Sequence, residues 1–159
     1  MFKRFFNKAH TQEDSVRLRH LIQLGVRLEV KGESFYQDLS QRVSRPETKR
    51  LCLKLSQDEV NHRKLLESTL ARWTPLQADE DTFAQFDSRL QAQGIFQEPS
   101  SGDVSEEEMV RYAIDQEKKM AGFYRSFEKD FPQEWKKGYV QRLVMEEESH
   151  AEQLRSLYS

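Results

Sequence analysis

A single cysteine, Cys52, stands in 159 residues. It excludes an intramolecular disulfide framework and any CxxC pair that could hold zinc or a thiolate-bound iron, so Cys52 reads as a small buried hydrophobe. Glycine (6) and proline (4) are scarce too, which argues against the closely spaced turns of an all-β chain. No apolar run is long enough for a signal-peptide core or a spanning helix, and the expected location is the cytoplasm. Neither sign of charge is in excess. The 25 basic and 27 acidic residues are interspersed, so neither nucleic acid nor an anionic membrane is implied as a partner.

What is present is helical. Charged residues make up 33% of the chain, and apolar residues recur at three and four rather than at two. The expected fold is all-α, in one domain over residues 1–159. Four long helices are read at 14–43, 47–72, 104–131 and 133–157, with Pro46 and Pro132 at the turns. Ser105 followed by Glu106, Glu107 and Glu108 reads as an N-cap with acids in the first turn. Residues 73–103, with Pro75, Gly94 and EPSSG at 98–102, form a long crossover in which 82–93 could make a short helix. Residues 1–13 form an extension in which Phe2, Phe5 and Phe6 stand beside Lys3, Arg4 and Lys8. It reads as a frayed or self-docked terminus in preference to an amphipathic anchor.

The organising feature is a repeat. EVKGESFY starting at Glu29 and EKKMAGFY starting at Glu117 share Glu, Phe and Tyr at the same offsets, 88 residues apart. EVNH at 59–62 and EESH at 147–150 are separated by 88 as well. One helical hairpin therefore occurs twice. In each, the upstream glutamate and the ExxH lie at similar distances from the turn and return to one level. Residues three apart share a helix face, so Glu59 can work with His62 and Glu147 with His150.

These positions interrupt apolar stripes. Ile22, Val26 and Tyr36 flank Glu29; Leu51, Leu55 and Leu66 flank Glu59; Tyr139, Leu143 and Leu154 flank Glu147. Four carboxylates gathered in a core resist ionisation unless a counter-charge is present, and two divalent metal ions supply it. Carboxylate and imidazole donors suit iron or manganese. One Glu from each of two helices and an ExxH from each of the other two is the ligand pattern of ferritin-like di-iron and di-manganese bundles. Glu146, Glu148 and Glu152 read as solvated neighbours, and His10 and His20 as surface histidines.

Over residues 15–157 the sequence resembles the rubrerythrin-type branch of the ferritin-like superfamily. The residues that carry the likeness are Glu29 with Phe35 and Tyr36, Glu59 with His62, Glu117 with Phe123 and Tyr124, and Glu147 with His150. The resemblance implies an antiparallel four-helix bundle with a long crossover between helices two and three, and two iron ions in its middle. Manganese or a mixed iron/zinc pair are variants of that expectation. It implies Glu59 and Glu147 as bridging ligands, Glu29 and Glu117 as terminal ones, one iron on each of His62 and His150, and Tyr36 and Tyr124 orienting carboxylates. A homodimer is implied too.

Two departures stand out. The rubredoxin domain of full-length rubrerythrins cannot be built with one cysteine, so an external electron donor is expected. The extra glutamate that rubrerythrins carry one turn after the first ligand of the third helix is Met120 here. Glu33, one turn after Glu29, could partly compensate, although its repeat partner is Ala121. The leading expectation is an oxidoreductase that reduces hydrogen peroxide or dioxygen in oxidative-stress defence. The alternatives are a ferroxidase for iron storage or detoxification, and a ferritin-like scaffold or interaction module with structural metal. A hydroxylase would need a substrate cavity, for which Gly25, Gly32, Ala121 and Gly122 leave space; those small residues equally permit close helix packing.

Overall fold

A computed structural model describes residues 12–71, 88, 94–97, 103–128 and 136–158. Among the described residues four α-helices follow one another: α1 (Gln12–Arg42), α2 (Pro46–Ala71), α3 (Glu106–Phe127) and α4 (Gln141–Ser156). A π-helical turn, Lys136–Val140, leads into α4. The expected helices are therefore present to within a few residues; the expected start of the fourth, at 133, lies outside the described residues, and Lys136–Val140 is π-helical where an α-helix is expected. The N-terminal aromatic segment, His10, Pro75, Pro132 and nearly all of 82–93 lie outside the described residues.

Local chemistry sets the ends. Proline at the start of α2 lacks an N–H that would have no helical partner there. Ser105 and Glu108 form a reciprocal capping box on α3: Glu108 N–H donates to Ser105 Oγ at 3.2 Å and Ser105 N–H to Glu108 Oε2 at 2.9 Å. Beside this cap, Glu106 accepts from the backbone N–H groups of Ser44 (2.8 Å) and Arg45 (3.4 Å) and from the Tyr158 hydroxyl (2.9 Å). One carboxylate thus ties the α1–α2 turn, the start of α3 and the chain's last residues together.

The helices pair as two antiparallel hairpins, α1 with α2 and α3 with α4, which close on each other as a bundle. Leu21, Leu24, Leu28, Leu55, Val110, Leu143 and Leu154 fill its axis, each at most 3% exposed. Full burial of a side chain of this kind contributes roughly 1.5–3 kcal/mol. From the crossover, Ile95 and Phe96 are also buried. Phe96 adopts a positive φ of 52°, and its N–H donates to the buried Gln116 side chain at 2.6 Å.

Two glycines inside α1 mark close approaches. A Cβ on Gly25 would stand 3.1 Å from the Leu66 side chain, and one on Gly32 would stand 3.3 Å from the Glu59 carboxylate. Each glycine costs a helix interior about 1 kcal/mol relative to alanine, so packing outweighs propensity here. His20 departs from expectation: it is fully buried. Half a turn from Glu29 does not lead to water, because α1 is covered on nearly all sides between His20 and Gly25.

Candidate metal centre

The six polar residues singled out by the repeat converge at mid-bundle, each at most 3% exposed. Their ligand atoms form two groups of four, Glu29, Glu59, His62, Glu147 and Glu59, Glu117, Glu147, His150, with atoms in each group within 4.8 Å of one another. Glu59 and Glu147 belong to both. Their two oxygens divide between the halves: Glu147 turns Oε1 to His62 Nδ1 (3.0 Å) and Oε2 to His150 Nδ1 (3.2 Å). Glu59 turns Oε2 to His62 (3.7 Å) and Oε1 to His150 (3.4 Å). The imidazoles lie almost parallel, 15° apart in plane with centroids 5.5 Å apart.

Each hairpin steadies a carboxylate of the other. The Tyr36 hydroxyl on α1 donates to Glu117 Oε1 on α3, and the Tyr124 hydroxyl on α3 donates to Glu29 Oε1 on α1. Burial, and then the charges of Glu117 and Glu29 respectively, raise both phenols well above their ordinary range, so both stay protonated donors. On the far side of the histidines, His62 Nε2 meets Glu146 Oε2 at 2.5 Å, and His150 Nε2 faces Asp58 Oδ2 at 3.4 Å. A carboxylate holding Nε2–H leaves Nδ1 as the lone-pair donor toward the centre.

Glu146 is therefore no solvated neighbour. Its side chain is 36% exposed yet bound to a buried histidine, because α4 faces α2 antiparallel and the position before each motif glutamate lies over the opposite ExxH. Asp58 is its counterpart, 88 residues earlier, and Lys54 and Arg142 repeat at the same interval. Extending the repeat one turn upstream was the signal that would have found all four. Glu148 and Glu152 behave as expected, exposed and paired with Arg125 and Arg155. Glu33 pairs with Arg63 at 3.0 Å and belongs to neither group of four.

With these hydrogen bonds counted, eight buried side-chain atoms of the six residues make none: one oxygen each of Glu29 and Glu117, both oxygens of Glu59 and Glu147, and Nδ1 of both histidines. Leaving a buried polar atom unsatisfied costs about 1–3 kcal/mol, more when charged. Eight such atoms gathered in two overlapping groups call for positive charge among them, and the groups could hold metal ions. Burial, then repulsion from Glu147, raises Glu29 well above the carboxylate range, and burial, then Glu59, does the same to Glu117. Burial also opposes the charge on Glu59, but Glu29, His150 and His62 outweigh it and hold Glu59 low. Burial favours a neutral His150, yet Glu117, Glu147 and Glu59 override it and push its pKa up to about 12. His62 is raised likewise against burial by Glu147, Glu29 and Glu59. Protonated imidazoles thus serve as the counter-charge wherever divalent ions do not.

The comparisons agree with this geometry. The rubrerythrin family model matches residues 20–158. The chain belongs to the rubrerythrin family. Among solved structures, a hypothetical protein from Pyrococcus furiosus matches with a TM-score of 0.66 over 89% of this chain and 87% of that one, at 20% identity. At that identity the likeness speaks for the fold, which is the ferritin-like bundle. No curated protein matches. Rubrerythrin-family membership accounts for two buried Glu/His groups in a helical bundle and agrees with a di-iron protein. No helix among the described residues is long and apolar enough to cross a membrane.

Proposed function

We propose that this rubrerythrin-family chain is a non-haem di-iron oxidoreductase that reduces hydrogen peroxide or dioxygen. The observation that carries the reading is the set of eight buried donor atoms without a hydrogen bond, arranged around two positions with two carboxylates in common. His62 with Glu29 would hold one ion and His150 with Glu117 the other, while Glu59 and Glu147 would serve both. Four carboxylates balance two divalent ions, and the oxygen- and nitrogen-rich set suits iron or manganese. Bound iron would supply the electrons by cycling between its ferrous and ferric states.

The chain's own residues prepare that chemistry. Tyr36 and Tyr124 each occupy one oxygen of a terminal carboxylate and thereby orient the other inward. Burial of all six ligands excludes bulk water from the reacting position. Two-electron reduction of hydrogen peroxide takes up two protons and yields two waters. Glu146, half in solvent and bonded to His62 Nε2, is a group through which protons can reach the histidine edge. Electrons would come from an external donor, and a cleft of about 560 Å³ between α2 and α4, lined by both histidines, Asp58 and Glu146, brings solvent nearest to the ligands.

Buried Met120 favours a second reading. It stands, fully enclosed, where the family resemblance leads one to expect a further glutamate, which speaks for oxidation of ferrous iron as substrate over a peroxidase cycle. An apolar cleft of about 460 Å³ beside Phe35, Phe96 and Met109 is lined by none of the six residues, and the cleft at the histidines is lined mainly by charged and polar side chains, which suits an apolar hydroxylase substrate poorly.

The test is anaerobic loading with ferrous iron, followed by separate additions of hydrogen peroxide and dioxygen. Faster oxidation by peroxide supports the peroxidase reading, and faster oxidation by dioxygen with uptake of further ferrous iron supports the ferroxidase. Loaded protein that consumes neither defeats both.

A further inference from the structure

The pseudo-symmetric halves differ where their histidines meet the outer carboxylates. Glu146 uses its two oxygens separately: Oε2 bonds His62 Nε2 at 2.5 Å while Oε1 accepts from Arg142 Nε at 2.8 Å. Asp58, one methylene shorter, offers a single oxygen to both neighbours. Its Oδ2 accepts from Lys54 Nζ at 2.9 Å and faces His150 Nε2 at 3.4 Å, beyond the range of a good hydrogen bond. Lys54 is also shared with Gln153 Oε1 at 3.0 Å. His62 is thus locked from outside, and His150 is held loosely.

From this asymmetry we infer that the two metal positions are unequal: the His62 position, with Glu29, fills first and binds tightly, and the His150 position, with Glu117, is the weaker, exchangeable one. The inference rests on the two-metal reading proposed above. An outer carboxylate fixes the ring's tautomer and direction and raises the basicity of the ligating nitrogen. Removing such a partner typically costs a 10–100-fold loss of metal affinity, so unequal partners divide otherwise matched sites. Glu146 and Asp58 act through the histidines, as positioning residues. The six converging residues and their tyrosine partners are matched between halves, since each terminal glutamate accepts one tyrosine hydroxyl and both shared carboxylates divide their oxygens. The outer carboxylates are therefore the place where affinity can diverge.

Titration of the full, metal-free chain with Co(II), followed by its visible bands and by calorimetry, tests the inference through binding alone. Two Co(II) ions are expected in two steps. Mutual repulsion of the ions also separates steps, so the assignment rests on variants. Glu146→Gln keeps size but removes the charge, and should weaken the first step about 10–100-fold while sparing the second. Asp58→Glu supplies a second reachable oxygen and should tighten the second step alone. His62→Ala should abolish the tight step and leave a single weak one, whereas His150→Ala should retain the tight one. Far-UV circular dichroism of each metal-free variant checks the helices.

A first step unmoved by Glu146→Gln, or single-histidine variants with equal residual affinity, overturns the inference while two bound ions keep the two-metal reading. Uptake of fewer than two Co(II) ions by the parent chain overturns that reading and the inference with it.

Discussion

Tyr36 on the first hairpin donates its hydroxyl to Glu117 on the second, and the bond is repaid by Tyr124 to Glu29. Each phenol fixes a carboxylate that it does not share a hairpin with. Tyr36→Phe should therefore lower metal affinity about 10-fold or more through the freed Glu117. Both substitutions together should cost more than either alone. Equilibrium metal titration checks this, and unchanged affinity in the double variant would show the tyrosines to be packing groups only.

Glu147 offers one oxygen to each half of the centre. Glu147→Ala should abolish binding of at least one ion, and elemental analysis of the purified variant reads this directly. Its thermal midpoint should also lose most of the rise that metal gives the parent chain, because stabilisation by a ligand scales with occupancy of its site.

Gly32 occupies the repeat position of Met120, and a side chain placed there would lie against the shared carboxylate of Glu59. Gly32→Ala improves helix propensity by about 1 kcal/mol while placing a methyl 3.3 Å from Glu59. Metal affinity should fall several-fold while the stability of the metal-free protein does not fall. Paired titration and denaturant unfolding separate the two effects, and unaltered affinity would mean that Glu59 can yield without loss.

Metal uptake should release protons. In the metal-free state His62 and His150 are held protonated, and Glu29 and Glu117 sit above the usual carboxylate range. Ligands must be deprotonated to bind. On loading two ions at pH 7, about two to four protons should appear, measurable by calorimetry in buffers of different ionisation enthalpy. Affinity should accordingly weaken as pH falls from 7 to 5, and a pH-independent affinity would contradict the charge pattern of the site.

Cys52 tests the core apart from the centre. Burial, and then Glu106, pushes its thiol up to about 12, so native protein at pH 8 should resist thiol reagents and react only on unfolding. The sign of the linkage follows: above pH 9 the unfolded chain loses a proton that the folded chain keeps, so this group's contribution to stability declines from pH 9 toward 12. Rapid labelling of native protein at pH 8 would show that the α2 interior opens readily.

Most of the centre is legible in the sequence because the repeat compares the chain with itself. Glu29, Glu59, His62 and their partners stand out since each is polar within an apolar stripe and recurs at one spacing. Asp58 and Glu146 escape that logic. An acid beside a motif glutamate looks like a wet helix face, and only the antiparallel pairing of α2 with α4 brings it over the opposite histidine. His20 escapes for the converse reason. Periodicity says which face of α1 it shares, but not that two faces of α1 are covered. The widened turn at Lys136–Val140 depends on backbone register before α4, which residue identity does not report.

The exchange of tyrosines and outer carboxylates between hairpins has a consequence for how this chain could be divided. Neither half holds a finished site: each leaves one glutamate without its tyrosine and one histidine without its outer carboxylate until the other arrives. Cut within the 72–105 connection, the two fragments would be complementing pieces whose reunion metal rewards, in the manner of two copies of a single ancestral hairpin.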